Sequence, residues 1–443
     1  MHANMKGSSL SKIQPSMSAS VMLPTDALCM ACDDESCDFR PMRAQRRALN
    51  ARDILIEMKY CGVCHTDLHQ AADHMKAIGR RTVYPCVPGH ELAGVCAAVG
   101  AEVTNIKVGD HVGVGCLVDS CLECAACLRG EEQKCSKSVG TYQGEDWSGR
   151  AATEPAGRKT MGGYTSKMVV HERFAVRIPS DYPLELAGPI MCAGVTMYDP
   201  LKRFGAADAD VLRVGVVGLG GLGVLGVKLA KALNNTVTAI SRSPAKEAFA
   251  RSAGADDFVA SSDEGAMGRA HGSLDLLLNT IPAHHDWVPY QRLLAPGGRH
   301  VILGANALLG AAMYAGKLLG PERSPIVHSA IGGLANTQEV IDLCARARIF
   351  PVVEVLPVAR LNFIYEQLDC CNDAGTRYVL DLAGSLNEDT FATFEAAAAP
   401  PPTLRANETG FSYPTIVAEL FRMLFRECVP AVSWGKRRVV EVI

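Results

Sequence analysis

The sequence has no uncharged apolar run long enough to cross a membrane; the longest lies near Val214–Val227 and is interrupted by glycines. It also lacks an excess of either charge. Since the formal net charge is -3, we expect neither a nucleic acid nor an anionic membrane as a partner. The first residues lack the apolar core of a secretory signal peptide. These absences indicate an ordinary soluble globular protein of two or three domains.

Cysteine, by contrast, is abundant, with 17 in the chain. In a large chain without a signal peptide, cysteines indicate metal ligands or reduced thiols more than disulfides, so we expect a cytoplasmic protein. Residues 1–37 show no hydrophobic period and are expected to form a disordered leader. Met1–Leu23 is rich in serine and has no acidic residue, so organellar targeting is the alternative, although a transit peptide would normally contain arginine.

Two patterns of secondary structure follow one another along the chain. DILIEMK, from Asp53, alternates like a strand, and short segments rich in glycine and valine to about Ile178 predict a β-rich part. After Cys192, strands and helices alternate to about Ile331, which is typical of a doubly wound parallel sheet. NTQEVIDLCARAR predicts a further helix and TRYVLDL a last strand. Past Gly384 the rhythm ends in AAAAPPP, a predicted linker, and IVAELFRMLFREC, a predicted amphipathic helix.

The strongest metal signal is a run of four closely spaced cysteines, namely Cys121, Cys124, Cys127 and Cys135. Four thiolates suit a closed tetrahedral zinc, which needs no open coordination position. An iron–sulfur cluster also takes four thiolates and is one alternative. A cluster of surface thiols is the other, but at this density such thiols would be prone to oxidation. We therefore predict a structural zinc.

A glycine-rich motif follows an apolar strand and opens a helix, which is the context that dinucleotide binding requires. Its residues are Gly218, Leu219, Gly220, Gly221, Leu222 and Gly223. The first glycine permits the tight turn, the second lets the backbone approach a pyrophosphate, and the last allows close packing of the helix. The helix N-terminus attracts the anion. The motif predicts a dinucleotide site, with glycine-rich packing alone as the alternative.

The end of the next strand indicates which dinucleotide binds. An NAD-binding protein usually has an acidic residue there for the ribose hydroxyls. This chain has instead two hydroxyls and two cations, at Ser241, Arg242, Ser243 and Lys246. These groups would hold a 2′-phosphate that a carboxylate would repel. We therefore expect NADP(H), unless these are ordinary solvated loop residues.

Further cysteines and histidines cannot be joined into one site from their spacing. CGVCHTDLHQ contains Cys61 and Cys64, and such a pair is compatible with a zinc knuckle, a redox couple or unrelated thiols. PGHE contains His90 and Glu91, and MCAGVT contains Cys192. A lone cysteine among apolar residues is usually part of a core.

Taken together, the motifs resemble the zinc-dependent medium-chain alcohol dehydrogenases, and most of all the cinnamyl alcohol dehydrogenase subfamily with its bacterial broad-range aldehyde reductases. The resemblance covers residues 38–384 and rests on YCGVCHTDLHQ, YPCVPGHE, VGVGCLVDSC, GGYTSKMVVHERF, MCAGVTMYDPL, GLGGLG and TQEVIDLC. It implies an α/β fold in which a GroES-like β-rich catalytic domain is split around a doubly wound Rossmann domain. The implied parts are a leader (1–37), the catalytic domain (38–192 and 332–384), the Rossmann NADP-binding domain (193–331) and an atypical tail (385–443). A homodimer paired through the nucleotide-binding sheet is also implied.

The resemblance also implies the site residues. The catalytic zinc ligands would be Cys64, His90 and Cys192, with Glu91 as an exchangeable fourth ligand and Cys61 as a buried neighbour. Asp67 would orient His90 and raise its basicity. Thr66 and His69 match a proton relay, while Thr196, Ser329 and Ile331 match positions near the nicotinamide.

The implied reaction is hydride transfer from NADPH to an aldehyde whose oxygen is polarised by zinc, with Thr66 giving a proton and His69 relaying one from solvent through the cofactor ribose. The chain would thus be an alcohol dehydrogenase with two zinc ions, acting on aromatic, cinnamyl-like or medium aliphatic aldehydes. A non-catalytic zinc- and dinucleotide-binding relic is the alternative, and a sugar or polyol dehydrogenase is a third. The segment QAADHMKAIGRRTVYP is a few residues longer than in the bacterial relatives, which leaves the substrate open.

Overall fold

The computed structural model describes residues 24–148, 159–208, 210–282, 285–303, 326–370 and 376–398. Within them the strands are β1 (Thr25–Cys32), β2 (Phe39–Arg46), β3 (Asp53–Val63), β4 (Glu91–Val99), β5 (His111–Val114), β6 (Leu117–Asp119), β7 (Val139–Gly140), β8 (Lys167–His171), β9 (Val176–Arg177), β10 (Arg213–Val217), β11 (Thr236–Ser241), β12 (Asp257–Ala260), β13 (Leu274–Asn279), β14 (Leu294–Ile302), β15 (Ile326–His328), β16 (Val353–Pro357) and β17 (Arg377–Asp381). The α-helices are α1 (His65–Ala71), α2 (Ala125–Leu128), α3 (Leu184–Ala187), α4 (Ala193–Arg203), α5 (Gly221–Ala232), α6 (Glu247–Ser252), α7 (Glu264–Arg269), α8 (Val288–Gln291), α9 (Leu334–Ala347), α10 (Leu361–Cys370), α11 (Leu382–Ser385) and α12 (Glu388–Ala398).

Six parallel strands form the nucleotide-binding type of sheet, in the order β12-β11-β10-β13-β14-β15. Counted along the chain this is the order 3-2-1-4-5-6 of a Rossmann fold, in which ligands bind where the strand order reverses. The strands are continuous apolar runs because helices cover both faces of such a sheet. Leu276, Leu277 and Leu278 of β13, for example, are all fully buried.

The second large sheet is mainly antiparallel and follows the path β16-β17-β3-β4-β5-β9, with β8 paired to β3. Its centre is β3, the strand predicted from Asp53 onward, and β3 pairs antiparallel with β4 and β17. The last two strands therefore return to a sheet begun some three hundred residues earlier. A β-rich part beside a doubly wound Rossmann sheet was predicted, and the two large sheets confirm this α/β architecture. The boundaries between the catalytic and Rossmann parts stay a prediction.

The leader predicted over residues 1–37 ends too late. β1 pairs with β2 over its whole length, and Cys29, Met30, Ala31 and Cys32 at its end are each at most 1 % exposed. Because these consecutive residues are all buried, the strand has no alternation for a periodicity argument to detect. The prediction of disorder is therefore wrong from Thr25 onward. Residues 1–23 lie outside the described part.

The tail predicted from residue 385 also begins too early. Phe391 of α12 is 4 % exposed in the main core, and the Arg43 guanidinium lies 5.0 Å from the centre of its ring. Arg43 also forms an ion pair with Glu388, so α12 begins as part of the β-rich fold. The predicted helix IVAELFRMLFREC and most of the predicted linker lie outside the described residues. None of the described helices combines the length and apolar composition needed to cross a membrane.

Candidate active site

Four potential metal ligands from three separate segments converge between the two sheets. They are Cys64, His90, Glu91 and Cys192, whose ligand atoms all lie within 4.8 Å of one another. Cys64 precedes α1, at the point where β3 ends. His90 and Glu91 meet it because β3 and β4 pair in a register that sets Gly62 opposite Glu91. Gly62 has to be small here, since a Cβ on it would lie 2.1 Å from Glu91 Oε2.

Cys192 completes the group from the start of α4, with its Sγ 3.2 Å from His90 Nε2. The pKa of Cys64 is well below its usual value because of a hydrogen bond with Cys192 and the neighbouring His90 and Arg377. A thiolate is the form that binds a metal. Burial raises the pKa of Glu91 to about 7, although the Arg377 guanidinium acts in the opposite direction.

The donor set fits zinc. Two sulfurs, an imidazole nitrogen and a carboxylate are ligands that tetrahedral zinc accepts. Glu91 Oε2 is buried without a hydrogen-bond partner, although its other oxygen is paired with Arg377. An unsatisfied buried carboxylate oxygen is unfavourable unless a cation or donor approaches it. Because this oxygen can accept a cation while the other stays paired with Arg377, Glu91 can serve as an exchangeable metal ligand.

Asp67 is fully buried behind the ligands, and four donors surround it. Its Oδ1 accepts from His90 Nδ1 at 2.7 Å and from the Gly89 amide at 3.1 Å. Its Oδ2 accepts from the Cys64 amide at 2.9 Å and from the Tyr164 hydroxyl at 3.3 Å. Because a carboxylate only accepts, the His90 proton stays on Nδ1 and the Nε2 lone pair is left for a metal.

Replacing Asp67 with asparagine is expected to weaken zinc retention at this site by about 10–100-fold, the range for loss of such a supporting partner. The amide carries one acceptor oxygen where the carboxylate carries two, and it has no charge to stabilise the polarised imidazole. The measurement is zinc content per chain after dialysis against graded chelator. Asp53→Asn is the matched control, because Asp53 is 1 % exposed and paired with Arg47 away from this site. Equal zinc loss in both variants would contradict the prediction.

The four predicted structural ligands, Cys121, Cys124, Cys127 and Cys135, form a second group within 4.8 Å. Their closest sulfur–sulfur distances are 3.5, 3.6 and 3.8 Å. Thiolates bound to one zinc at about 2.3 Å lie roughly 3.8 Å apart in a tetrahedron. An iron–sulfur cluster attaches its cysteines to different irons and would spread them farther. The pKa of Cys121 is lowered to about 6 by the amides of Glu123 and Cys124.

The glycine motif lies where β10 ends, at the point where the strand order reverses. Gly218 has φ +88°, a left-handed conformation that favours glycine, and its amide donates to Ile240 O at 2.9 Å. A Cβ on Gly223 would lie 1.9 Å from Gly218 O, whereas Gly220 faces open space. This opening at the start of α5 fits a pyrophosphate. Because β11 ends beside Gly218, Ser241 and the loop carrying Arg242, Ser243 and Lys246 lie along the same edge.

The residues predicted near the nicotinamide also come together. Thr196 on α4 donates its hydroxyl to Ala330 O at 3.1 Å, between Ser329 and Ile331. Ile331 lines a cleft with Cys116 and Met191, next to the ligand Cys192. Thr66 Oγ1 lies 3.7 Å from Cys64 Sγ, and His69 follows three residues later on α1, which places it on the same helix face.

Among the nearby residues that escaped sequence reasoning are Arg377 and His74. Arg377, at the start of β17, has a side chain that is 13 % exposed, and it pairs with Glu91. No sequence signal identifies it, because its position depends on β17 pairing with β3. His74, with Nδ1 3.1 Å from His69 Nδ1, lies in the segment that follows α1.

Two protein families match the chain. Residues 50–180 match the family described as alcohol dehydrogenase GroES-like domain, and residues 221–346 match zinc-binding dehydrogenase. A probable cinnamyl alcohol dehydrogenase of Oryza sativa subsp. japonica is 41 % identical over 357 residues, which is 80 % of this chain and 95 % of the relative. One from Zea mays is 40 % identical over 370 residues, 83 % of this chain and 96 % of that protein.

Solved structures agree with these relatives. A cinnamyl alcohol dehydrogenase from Sorghum bicolor has a TM-score of 0.72 and 37 % identity, covering 82 % of this chain and 100 % of its own. The Helicobacter pylori enzyme of the same name, solved in complex with NADP(H), has a TM-score of 0.71 and 33 % identity with the same coverage.

Proposed function

The chain belongs to the zinc-dependent alcohol dehydrogenase family, and we propose that it transfers a hydride between NADP(H) and an aldehyde/alcohol pair, cinnamyl-like or medium aliphatic. The observation that carries this proposal is the convergence of Cys64, His90, Glu91 and Cys192 beside Thr66. A non-catalytic relic need not keep this whole set, nor the buried carboxylate that orients His90. The related enzymes are oxidoreductases of the same family, so the relic alternative is set aside.

Cys64, His90 and Cys192 would hold a catalytic zinc, with Glu91 as an exchangeable fourth ligand. Such an ion supplies Lewis-acid polarisation of a carbonyl group. Arg377 supports this exchange, since it keeps a partner for the Glu91 carboxylate when that ligand is displaced. Asp67 fixes His90 in the tautomer that presents Nε2. Cys121, Cys124, Cys127 and Cys135 would hold a second zinc, which gives two per chain.

Thr66 is the proposed proton donor to the reacting oxygen, and His69 is the proposed source of its replacement. A hydroxyl alone is a poor acid near neutral pH, so its proton has to be replaced through a relay. Burial, and then the neighbouring His74 and His65, lower the pKa of His69. His69 is thus mostly neutral near pH 7, a form that can both accept and donate a proton.

We propose that the protein works as a cytoplasmic homodimer. Its 14 cysteines with described side chains are free thiols, as a reducing compartment would keep them. Among the described strands, β12 and β15 are the two edges of the six-stranded sheet, and an open edge such as β15 can pair with its counterpart in a second copy. Sedimentation velocity would test the dimer.

The function is tested by following nicotinamide absorbance with purified zinc-replete protein and a panel of aldehydes, with NADPH and NADH in parallel. We expect turnover that strongly prefers NADPH, because the segment after β11 offers an arginine, a lysine and two hydroxyls and no carboxylate. The panel would rank aromatic against aliphatic substrates. Absence of turnover with either cofactor would refute the enzyme proposal.

Replacing Arg242 with alanine is expected to raise KM for NADPH by about 10–100-fold, since one hydrogen bond to a charged group contributes about 1.5–3 kcal/mol. KM for NADH should stay nearly unchanged, because NADH lacks the 2′-phosphate. Arg269→Ala, at the exposed end of α7 in the same domain, is the control. An equal rise in KM for both cofactors would show that Arg242 does not bind the 2′-phosphate.

A further inference from the structure

Two histidines next to the proposed zinc ligands face each other through the same ring nitrogen. His69 Nδ1 and His74 Nδ1 are 3.1 Å apart, and the ring centres are 5.3 Å apart. Only one proton fits between two such nitrogens, so at least one of them carries a free lone pair. His74 lies outside the residues assigned to the reaction above, and its side chain is exposed.

A fixed turn brings His74 back over α1. The helix ends at Ala71, Asp73 adopts a left-handed φ of +53°, and a 3₁₀ helix begins at His74. Asp73 Oδ1 accepts from the Thr82 amide at 2.7 Å, and the Thr82 hydroxyl donates to Gln70 O at 2.6 Å. These hydrogen bonds connect Thr82 to the end of α1 and to the turn that follows it. The two rings are therefore held close together by a turn that these hydrogen bonds stabilise.

The separation of the two nitrogens matches that of two ligands on one metal ion. Imidazole nitrogens at about 2.0–2.1 Å from a tetrahedral zinc lie roughly 3.3 Å apart. Neutral imidazole is a preferred ligand of divalent transition metals, and water can fill the other positions at an exposed site. The lowered pKa of His69 keeps its ring unprotonated at neutral pH. The nearby carboxylate of Asp369 on α10 also favours a cation.

We propose that His69 and His74 form a third, low-affinity site for a divalent transition-metal ion such as Zn²⁺, and that its occupation inhibits the enzyme. A metal bound to His69 Nδ1 holds the ring and removes a nitrogen from proton exchange. The inhibition rests on the proposed relay role of His69, whereas metal binding by the pair does not. Excess zinc would then slow turnover while leaving the four-cysteine group and the Cys64 site filled.

The test uses the full chain with its resident zinc in place and adds Zn²⁺ while heat of binding and NADPH-dependent turnover are measured in parallel. In the unmodified protein we expect one further zinc equivalent, weaker than the resident ions, together with falling turnover. In His74→Gln the further equivalent should be lost, and the inhibitory zinc concentration should rise at least about tenfold, as expected when a direct ligand is removed. His271→Gln, an exposed histidine after α7, should behave like the unmodified protein.

Three results would overturn the proposal. The first is that the unmodified protein binds no further zinc. The second is a further equivalent that persists in His74→Gln, which identifies adventitious zinc elsewhere. The third is binding that His74→Gln removes without any effect on turnover, which would exclude the inhibitory role. Turnover before zinc is added reports on the proposed enzyme function separately, so the two failures are distinguishable.

Discussion

Replacement of Cys64 with alanine is expected to lower kcat/KM for aldehyde reduction by about a thousandfold or more and to leave one zinc per chain. The physical reason is that Lewis-acid polarisation contributes several kcal/mol to the transition state, and each 1.36 kcal/mol is about tenfold in rate. Without the thiolate, only His90, Cys192 and the exchangeable Glu91 remain, and they are a poor zinc site. The measurements are metal content by mass spectrometry and NADPH-dependent turnover of the same preparation.

Cys61→Ala is the matched control, because the two cysteines begin and end the same C-x-x-C motif. Cys61 is fully buried in β3, and burial together with the Asp67 charge raises its pKa well above the usual value. It therefore stays a protonated thiol, which is not the form that binds zinc. The control should keep two zinc ions and most of the turnover. Loss of zinc from Cys61→Ala instead of Cys64→Ala would reverse the assignment.

For the C-x-x-C motif, the sequence predicted a metal ligand but its spacing did not identify which cysteine it is. Spacing left the roles of its cysteines open, and the family resemblance indicated Cys64. The structure supplies the physical difference between them. Cys61 lies within a buried strand, whereas Cys64 begins a helix whose first turn carries the buried Asp67. The sequence alone does not reveal which of the two thiols faces His90 and Cys192, because those ligands lie on other secondary-structure elements.

The Rossmann half was the more predictable part. Its strands β10, β11 and β13 are apolar runs followed by turns or helices, and their positions could be predicted from those patterns. β1 could not, because its last four residues are buried without alternation. Arg377 and His74 were missed for a related reason. Their importance depends on contacts with β4 and α1, which only the folded chain creates.

Replacement of Cys124 with alanine is expected to destabilise the protein more than any other single cysteine substitution proposed here. Structural zinc contributes about 10–16 kcal/mol to the folding of zinc-finger peptides, whereas whole proteins are stable by only about 5–15 kcal/mol. Within the four-cysteine segment, regular hydrogen bonding is limited, since β6 and β7 form only a two-stranded sheet. Val118 and Val139 pack into the main core, so zinc is expected to stabilise chiefly the turns that carry the cysteines between these two strands.

Collapse of this segment should also spread to α9, whose Val340, Ile341 and Cys344 pack into the core of the Rossmann half. Glu132, between the third and fourth cysteines, is 1 % exposed, and its carboxylate accepts from the Leu334 amide at 3.0 Å, at the start of α9. Loss of that contact leaves a helix terminus without its partner, which costs about 0.5–2 kcal/mol. The expected result is one zinc per chain and a clearly lowered unfolding midpoint. Cys96→Ala, buried in β4 away from both groups, should keep two zinc ions and unfold near the unmodified protein. If Cys124→Ala matched that control in both measurements, the four cysteines would not hold a structural metal.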